Sequence, residues 1–253
     1  MQLSLEKQIA LVTGANGGLG VHFAATLAKA GATVVLGARR PEAADAVCRQ
    51  INEAGGRATV VELDVTEQSS VQRALDHIES QLGPLNVLVN NAGIAVTKPV
   101  LEHTERDWQD VLSVNLTGAW YTAQETVRRM VRAETGGSIV NVASILGLRV
   151  AAQIPAYVAS KAALIQLSKA MALELARHRI RVNALAPGYI KTELNDAFFA
   201  TEAGAAIIKR IPQRRLGRLE DLDGALLLLA SEAGAYITGS VLSVDGGHLA
   251  SSL

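Results

Sequence analysis

A tyrosine and a lysine stand four residues apart in the stretch YVASK, at Tyr157 and Lys161. If this stretch is helical, the two side chains lie one turn apart on the same face. An ammonium beside a phenol favours the phenolate and lowers the tyrosine pKa, which is ordinarily about 10. The pair is therefore a candidate general acid and base at neutral pH, and the alternative is an ordinary solvated face of a helix.

A glycine-rich stretch, TGANGGLG at 13–20, follows the apolar run IALVT and precedes a helical pattern. Glycines at such a turn let the backbone approach a pyrophosphate, to which the helix N-terminus offers N–H groups. This position after the first strand is the one that a dinucleotide site requires, although a purely structural turn is the alternative. The contacts that we expect here are Gly14, Asn16, Gly18, Leu19 and Gly20.

The end of the second predicted strand, LGARR, indicates which dinucleotide binds. NAD-binding proteins place an acidic residue about 20 positions beyond the glycines, where it bonds the ribose 2′-OH. Here Ala38 occupies that position, and Arg39 and Arg40 follow it. A guanidinium can hold a 2′-phosphate through charge-assisted hydrogen bonds. We therefore predict NADP (NADPH) as cofactor, with NAD possible, Arg39 as the main contact and Arg40 or Asn16 assisting; arginines that only end the strand in solvent are the alternative.

Short apolar runs alternate along the chain with stretches of helical period. The predicted strands are 9–13, 33–37, 58–63, 86–90, 138–143, 181–186 and 241–244, and the predicted helices are 18–30, 41–54, 67–81, 104–133, 155–177 and 219–231. The strands are apolar nearly throughout, as strands buried on both faces are. This alternation predicts an α/β fold: a doubly wound, Rossmann-type parallel sheet of about seven strands with helices on both faces. Ligands should then bind beyond the carboxyl ends of the strands, where the strand order reverses.

Composition narrows the classes of function. The chain has 24 Lys+Arg and 24 Asp+Glu, so it lacks the basic excess of a nucleic-acid binder. Cys48 is the only cysteine and the five histidines are scattered, so we expect neither an intrachain disulfide nor a bound metal. The N-terminal MQLSLEKQ lacks a signal-peptide core, and the run ALLLLA is too short to span a bilayer. We expect a soluble cytoplasmic protein with one domain over residues 1–253 and no membrane or nucleic-acid partner.

Several motifs, taken in order from about residue 5 to 248, resemble those of the short-chain dehydrogenase/reductase family in its short single-domain form. They are TGANGGLG, the DV of 64–65, the NNAG of 90–93, Asn115 in SVNLTG, Ser144 in NVAS, YVASK and the PGYIKT of 187–192. The resemblance implies an NADP-dependent oxidoreductase that interconverts a ketone and a secondary alcohol. One departure is Gly17, where many NADP-dependent members carry a basic residue, so that phosphate recognition depends more heavily on Arg39.

Other functions remain as alternatives. Within oxidoreductases they are an NAD(P)-dependent dehydrogenase of a polyol, sugar or sugar acid and a 3-oxoacyl thioester reductase. Outside them are a non-catalytic cofactor-binding sensor, and a dehydratase or epimerase that uses the nicotinamide transiently. By the same resemblance, helices 104–133 and 155–177 and the C-terminal VDGG form the surfaces of a homotetramer.

The resemblance also assigns roles at the reaction centre. Tyr157 is the general acid in reduction and the general base in oxidation, and Lys161 lowers its pKa and bonds the nicotinamide ribose. Ser144 binds the substrate oxygen. Asn115 holds a helix bend and a water that relays protons toward Lys161. Further cofactor contacts are expected at Asp64, Val65, Asn91, Ala92, Gly93, Pro187, Gly188, Ile190 and Thr192.

The segment at about 189–215 is predicted to be a mobile lid over the substrate. The apolar side chains expected around the substrate are Ile94, Ile145, Leu146, Val150, Ile154, Tyr189, Phe198 and Phe199. They favour a hydrophobic or moderately polar ketone over a heavily hydroxylated sugar. The lid also contains Lys209, Arg210, Arg214 and Arg215. These cations could meet an acidic substrate, or they could be solvated lid residues.

Overall fold

A computed structural model describes residues 3–250, and within this range seven strands form one sheet. The strands are β1 Ile9–Thr13, β2 Thr33–Ala38, β3 Arg57–Glu62, β4 Val87–Asn90, β5 Gly137–Val142, β6 Ile180–Pro187 and β7 Val241–Val244. They are hydrogen-bonded in the order β3-β2-β1-β4-β5-β6-β7, and every neighbouring pair runs parallel. The predicted doubly wound parallel sheet is confirmed.

Helices cover both faces of this sheet. Within residues 3–250 they are α1 Gly18–Lys29, α2 Glu42–Glu53, α3 Gln68–Leu82, α4 Glu105–Leu112, α5 Ala119–Arg132, α6 Pro155–Leu175, α7 Glu193–Phe199, α8 Glu202–Ile208 and α9 Asp223–Ala230. One apolar cluster joins α1, α2 and α9 to the sheet, and a second joins α3, α5 and α6 to its opposite face. None of the helices in this range is both long enough and apolar enough to cross a bilayer.

The two clusters explain why the strands are apolar throughout. Along β1, Ala10 and Val12 belong to the first cluster, whereas Leu11 belongs to the second. Successive side chains of a strand point to opposite faces, so a strand between two helical layers buries every one of them. All three of these side chains are 0% exposed. The apolar runs in the sequence therefore reflect burial on both faces.

The predicted helix 104–133 is interrupted in the structure. A π-helical turn, Ser113–Gly118, separates α4 from α5. At its end, a Cβ on Gly118 would lie 2.8 Å from Val65 Cγ2, so the helix approaches the residues after β3 too closely for a side chain. Within the turn, Asn115 bonds the backbone of Ile94 instead of facing solvent. The expectation of one continuous helix is wrong here, because tertiary contacts outweigh the helical period; such turns are frequent at functional sites.

The segment predicted as a lid, 189–215, contains the short helices α7 and α8, which the sequence pattern did not indicate. Its base is tied down by backbone hydrogen bonds from Gly217 N to Tyr189 O, 2.9 Å, and from Lys191 N to Gly217 O, 2.8 Å. The last predicted helix, 219–231, starts as a 3-10 turn at Leu219–Leu222 before α9. Opening and closing of this segment over a substrate stays a prediction.

The strand order reverses between β1 and β4, and a set of hydrogen bonds fastens the ends of these two strands together. Thr13 Oγ1 accepts from the backbone N–H groups of Asn91 and Ala92, both at 3.0 Å. Asn91 Nδ2 in turn donates to the Thr13 carbonyl oxygen at 2.9 Å. The glycine-rich turn after β1 and the NNAG motif after β4 are therefore held side by side at the point where α/β sheets bind ligands.

Candidate active site

A cleft of about 720 Å³ lies along the carboxyl edge of the sheet, with walls from residues at or after the ends of β1 to β6. Its volume is in the range of cofactor and substrate sites. The predicted site residues that line it are Gly14, Asn16, Gly18, Leu19, Arg39, Asp64, Val65, Asn91, Ala92, Gly93, Ile94, Ser144, Tyr157, Lys161, Pro187, Gly188, Tyr189, Ile190 and Thr192. Residues far apart in the sequence thus meet in one cleft, because parallel strands bring their carboxyl ends to the same edge.

Some predicted residues do not line this cleft. They are Gly20, Arg40, Asn115, Ile145, Leu146, Val150, Ile154, Phe198 and Phe199. Ile145 is buried in the core at 2% exposure, and Phe199 is buried with its ring centre 5.6 Å from that of Tyr189. Of the expected apolar wall around the substrate, only Ile94 and Tyr189 reach the cleft. Ile145 and Phe199 are absent from the wall because they pack in the core, whereas Val150 and Phe198 are exposed elsewhere, at 82% and 46%. Contacts of these residues with a substrate stay predictions.

The glycine-rich turn has the geometry that a pyrophosphate requires. Gly14 and Gly18 have φ values of +65° and +50°, a region that favours glycine. Gly17 precedes α1 without a side-chain cap, so the first N–H groups of the helix keep their hydrogen-bonding capacity. A Cβ on Gly17 or Gly18 would meet no atom within 4 Å. Open space beside uncapped N–H groups at a helix N-terminus fits an anionic ligand.

Gly20 has a different purpose in the same turn. A Cβ at this position would lie 2.3 Å from the Gly14 carbonyl oxygen and 2.7 Å from Asn91 Nδ2. The absence of a side chain therefore allows α1 to pack against the turn. Gly20 shapes the site without lining it, and its predicted contact with the cofactor stays a prediction.

Arg39 and Asp64 lie at the end of the cleft away from Tyr157, following β2 and β3. Among residues 3–250 the exposed Arg39 guanidinium has no ion-pair or hydrogen-bond partner, which leaves it available to an anion. Asp64 Oδ1 accepts from the Thr66 backbone N–H at 2.9 Å and from Thr66 Oγ1 at 2.7 Å. One oxygen of this carboxylate therefore stabilises the turn, and the predicted contact of Asp64 with the adenine stays a prediction.

Tyr157, Lys161 and Ser144 form the other end of the site. Tyr157 and Lys161 lie on the first turns of α6, and Lys161 Nζ is 5.6 Å from the centre of the Tyr157 ring. Ser144 lies two residues after the end of β5. Its Oγ accepts from the Leu146 N–H at 3.0 Å, and the hydroxyl also hydrogen-bonds Tyr157. The predicted helical face is present, and it faces the Ser144 hydroxyl, which follows the preceding strand, β5.

Burial has the largest effect on the pKa values of Tyr157 and Lys161. It raises the pKa of Tyr157, and the hydrogen bond with Ser144 opposes this in part. Burial also lowers the pKa of Lys161 to about 8. The sequence predicted that the lysine lowers the tyrosine pKa, but Lys161 is not among the groups that shift it. Instead its Nζ donates to the Val142 carbonyl oxygen at 2.7 Å. Desolvation of the phenol outweighs an ammonium that is directed elsewhere.

Asn115 lies behind the wall of the cleft, at 1% exposure, in the π-helical turn. Its Oδ1 accepts from the Ile94 N–H at 2.8 Å, and its Nδ2 donates to the Ile94 carbonyl oxygen at 2.9 Å and to Ser160 Oγ at 3.0 Å. Asn115 thus lies in a π-helical turn between α4 and α5, and its predicted role in a helix bend stays a prediction. Both amide N–H groups are engaged, which leaves only acceptors for the predicted relay water.

Asn195 and Thr13 are among the residues that shape the site and that the sequence interpretation did not name. Asn195 lines the cleft, and its side chain bonds the Thr192 N–H at 2.9 Å and the Ile190 carbonyl oxygen at 2.8 Å. Thr13 fixes the NNAG motif as described above. The spacing of Thr192 and Asn195 is that of a capping box, a signal available in the sequence. In the described part of the chain, no three His, Cys, Asp or Glu side chains are close enough together to hold a metal ion.

Comparison with known proteins adds independent information. The family model described as Enoyl-(Acyl carrier protein) reductase matches residues 14–248. The chain is 38% identical over 247 residues to the 5-keto-D-gluconate 5-reductase of Escherichia coli (strain K12). That match covers 97% of each of the two chains.

Two solved structures share the fold. A short-chain type dehydrogenase/reductase from Mycobacterium marinum has a TM-score of 0.93 at 40% identity, with 98% of this chain and 97% of that chain covered. A gluconate 5-dehydrogenase from Burkholderia cenocepacia J2315, solved with NADP and tartrate, has a TM-score of 0.95 at 36% identity, with 99% and 98% covered. The matches in sequence agree with the order of the strands and with the residues that line the cleft. The chain belongs to the short-chain dehydrogenase/reductase family.

Proposed function

We propose that this protein is an NADP-dependent oxidoreductase that interconverts a ketone and a secondary alcohol, with Tyr157 as the group that gives and takes the proton. The observation that carries the proposal is that Tyr157, Ser144 and Lys161 meet at one end of a cleft whose other parts are an open glycine turn and an unpaired Arg39. A bound nicotinamide dinucleotide supplies or accepts the hydride. The protein must position the substrate and move the proton.

In the direction of reduction, Tyr157 donates its phenolic proton to the substrate oxygen. The raised pKa of Tyr157 keeps the phenol protonated, which suits an acid. Ser144, hydrogen-bonded to the same phenol, donates to the substrate oxygen and stabilises the negative charge that develops there. In the direction of oxidation Tyr157 must act as a base, so we expect oxidation to be fastest at alkaline pH.

The preference for NADP is supported by two observations. The first is the Arg39 guanidinium, which lines the cleft after β2 and pairs with no group among residues 3–250. The second is the related gluconate 5-dehydrogenase that was solved with NADP. The 2′-phosphate would lie against Arg39, the pyrophosphate against the N-terminus of α1, and the nicotinamide ribose near Lys161. Asp64 would accept from the adenine.

A sugar acid is the second candidate substrate, beside a hydrophobic or moderately polar ketone. The Escherichia coli relative is a 5-keto-D-gluconate 5-reductase. The charges of Arg149 and Arg210 act on Tyr189 and lower its pKa in part, although burial raises that pKa overall. Two cations near a tyrosine that lines the cleft would suit a substrate carboxylate. This favours an acidic keto substrate over a neutral sugar.

We also propose that the protein is a cytoplasmic homotetramer with a lid formed by α7 and α8. Exposed apolar side chains on successive helices support an interface: Trp108 on α4 is 40% exposed, Trp120 on α5 is 37% and Leu173 on α6 is 83%. On the lid, Phe198 is 46% exposed. Light scattering checks the assembly, and a stable monomer would contradict it.

The experiment that tests the reaction follows the absorbance of NADPH and NADH against a panel of carbonyl compounds. The panel contains ketones, β-ketoesters, acyl thioesters and keto-acids of sugars. We expect oxidation of NADPH by at least one of them, faster than oxidation of NADH at equal concentration. A protein that binds NADPH but oxidises it with none would favour the non-catalytic sensor.

A further inference from the structure

Ser160, the residue before Lys161, has no part in the reaction described above, yet it connects two parts of the site. Its side chain is 0% exposed. Its Oγ donates to the Tyr157 carbonyl oxygen at 2.7 Å and accepts from Asn115 Nδ2 at 3.0 Å. One hydroxyl therefore joins the first turn of α6, which carries the acid, to the π-helical turn.

Asn115 continues this connection to the loop after β4. Because one amide N–H goes to Ser160 and the other to the Ile94 carbonyl, the two partners together determine which way the amide faces. Gly93, directly before Ile94, lines the cleft. A Cβ on Gly93 would lie 3.4 Å from Asn115 Oδ1 and 3.5 Å from Lys161 Nζ. Asn115 Oδ1 and Lys161 Nζ therefore both lie beside the Gly93 backbone, so a rotation of the amide would disturb the cleft wall next to Lys161.

We propose that Ser160 is a positioning residue for the reaction. By holding the Asn115 amide, Ser160 fixes the position of α6 relative to the loop of Gly93 and Ile94. It thereby aligns Tyr157 with the substrate oxygen. Loss of the hydroxyl leaves a buried amide N–H without its acceptor, which costs more than the bond itself contributes. The Asn115 amide can then rotate to find another acceptor, and the cleft wall at Gly93 and Ile94 shifts with it. This inference rests on the proposed function, since it concerns a reaction at Tyr157.

The same helix contains a matched control eight residues further on. Ser168 is also 0% exposed, donates to the Leu164 carbonyl oxygen at 2.7 Å and accepts from Asn141 Nδ2 at 2.8 Å. The two serines thus share their burial and the types of their partners. Ser168, however, joins α6 to β5 inside the core. A purely structural role predicts the same consequences for the loss of either hydroxyl.

The kinetic test compares Ser160→Ala with Ser168→Ala. We expect kcat to fall about tenfold in Ser160→Ala with the KM for NADPH little changed, and to stay within about twofold of the wild type in Ser168→Ala. In an Asn115→Ala background, Ser160→Ala should lower kcat no further, because the amide it holds is gone. Equal losses in the two serine variants, or the full tenfold loss in the Asn115→Ala background, would overturn the proposal.

Amide hydrogen exchange tests the connection without any turnover. The Ile94 N–H is held by Asn115 Oδ1, so its exchange should quicken in Ser160→Ala and not in Ser168→Ala. Unchanged exchange in Ser160→Ala would overturn the proposal. If the wild type oxidises NADPH with no carbonyl compound, the proposed function fails, and the exchange of Ile94 still decides whether Ser160 holds the amide. Should Ser160→Ala not fold, Ser160→Cys keeps the volume with a weaker hydrogen-bonding group and is measured in its place.

Discussion

Lys161 directs its ammonium at the Val142 carbonyl oxygen, 2.7 Å away, and holds it 5.6 Å from the centre of the Tyr157 ring. At 4% exposure the charge is nearly withdrawn from water, and a single carbonyl is its one hydrogen-bond partner among residues 3–250. Burying a cation without a counter-ion costs free energy, and the lowered pKa of the lysine, about 8, records that cost. The charged Lys161 side chain therefore lowers the stability of the folded protein.

Lys161→Met should stabilise the protein at pH 7, and the gain should shrink as the pH rises from 8 to 10. The pKa of Lys161 is lowered from 10.5 to about 8, so between these values the unfolded chain binds a proton that the folded chain does not. Wild-type stability therefore rises with pH in this window, whereas below pH 8 the buried charge costs on the order of 3 kcal/mol. Loss of the bond to Val142 offsets about 1 kcal/mol of the gain. Urea unfolding at several pH values measures it.

Lys169→Met is the matched control for this variant. Lys169 lies on the same helix and is exposed. Its removal should change the free energy of unfolding little, and the change should not depend on pH between 7 and 10. A stability difference for Lys161→Met that stays constant across this range would contradict a buried charge as its cause. Loss of turnover in the variant is expected as well, since the lysine lies in the reaction centre.

Tyr157→Phe should bind NADPH normally and lose about a thousandfold in kcat, because only the proton donor is removed. Fluorescence titration measures the binding and NADPH absorbance the turnover. The control is Tyr189→Phe, since Tyr189 also lines the cleft and burial raises its pKa too. We expect Tyr189→Phe to change KM for the substrate more than kcat. Substantial turnover by Tyr157→Phe would transfer the role of acid to another group.

The positions of the strands and the motifs could be predicted because each depends on local sequence. An apolar run identifies a strand such as β1 wherever helices cover both faces, and glycines mark the turn that follows it. The break between α4 and α5 depends instead on the contact of Gly118 with Val65, which are distant in sequence. The direction of the Lys161 side chain likewise depends on the Val142 carbonyl, on another element. Such contacts have no local signature, so the sequence does not show that burial raises the pKa of Tyr157.

The apolar residues expected around the substrate show a second limit of prediction from sequence. Ile145 and Phe199 are apolar and close to motif residues, but both are buried in the core. Hydrophobicity indicates that a side chain leaves water, and it does not distinguish packing against protein from packing against a ligand. Asn195, in contrast, reaches the cleft although it is polar. Predicting a substrate contact therefore requires the path of the chain through 189–215.

Ser144→Ala should move the pH dependence of alcohol oxidation to higher pH. The Ser144 hydrogen bond lowers the pKa of Tyr157 against the effect of burial, so its loss raises that pKa further. Oxidation needs the phenolate, so the rising limb of kcat against pH should shift to higher pH. The maximal kcat should also fall about a hundredfold, because the substrate oxygen loses a hydrogen-bond donor.

Ser144→Thr keeps the hydroxyl and is the control for the pH shift. It should return the rising limb of the profile toward its wild-type position, even where the added methyl group slows the reaction. A profile of Ser144→Ala that coincides with that of the wild type would show that the hydroxyl does not act on the Tyr157 pKa. The hundredfold loss could then be attributed to substrate binding alone.

Arg39→Ala should weaken the binding of NADPH about 10- to 100-fold and leave the binding of NADH unchanged, because only the 2′-phosphate distinguishes the two cofactors. Arg40→Ala is the matched control. Arg40 is the next residue in the chain and is exposed like Arg39, but it does not line the cleft. Removing either arginine changes the net charge of the protein by the same amount, so a long-range effect of charge on an anionic cofactor would appear in both variants. A contact with the phosphate would appear in Arg39→Ala alone. Isothermal titration of each variant with both cofactors separates these cases, and equal losses for NADPH and NADH in Arg39→Ala would contradict the assignment of Arg39 to the 2′-phosphate.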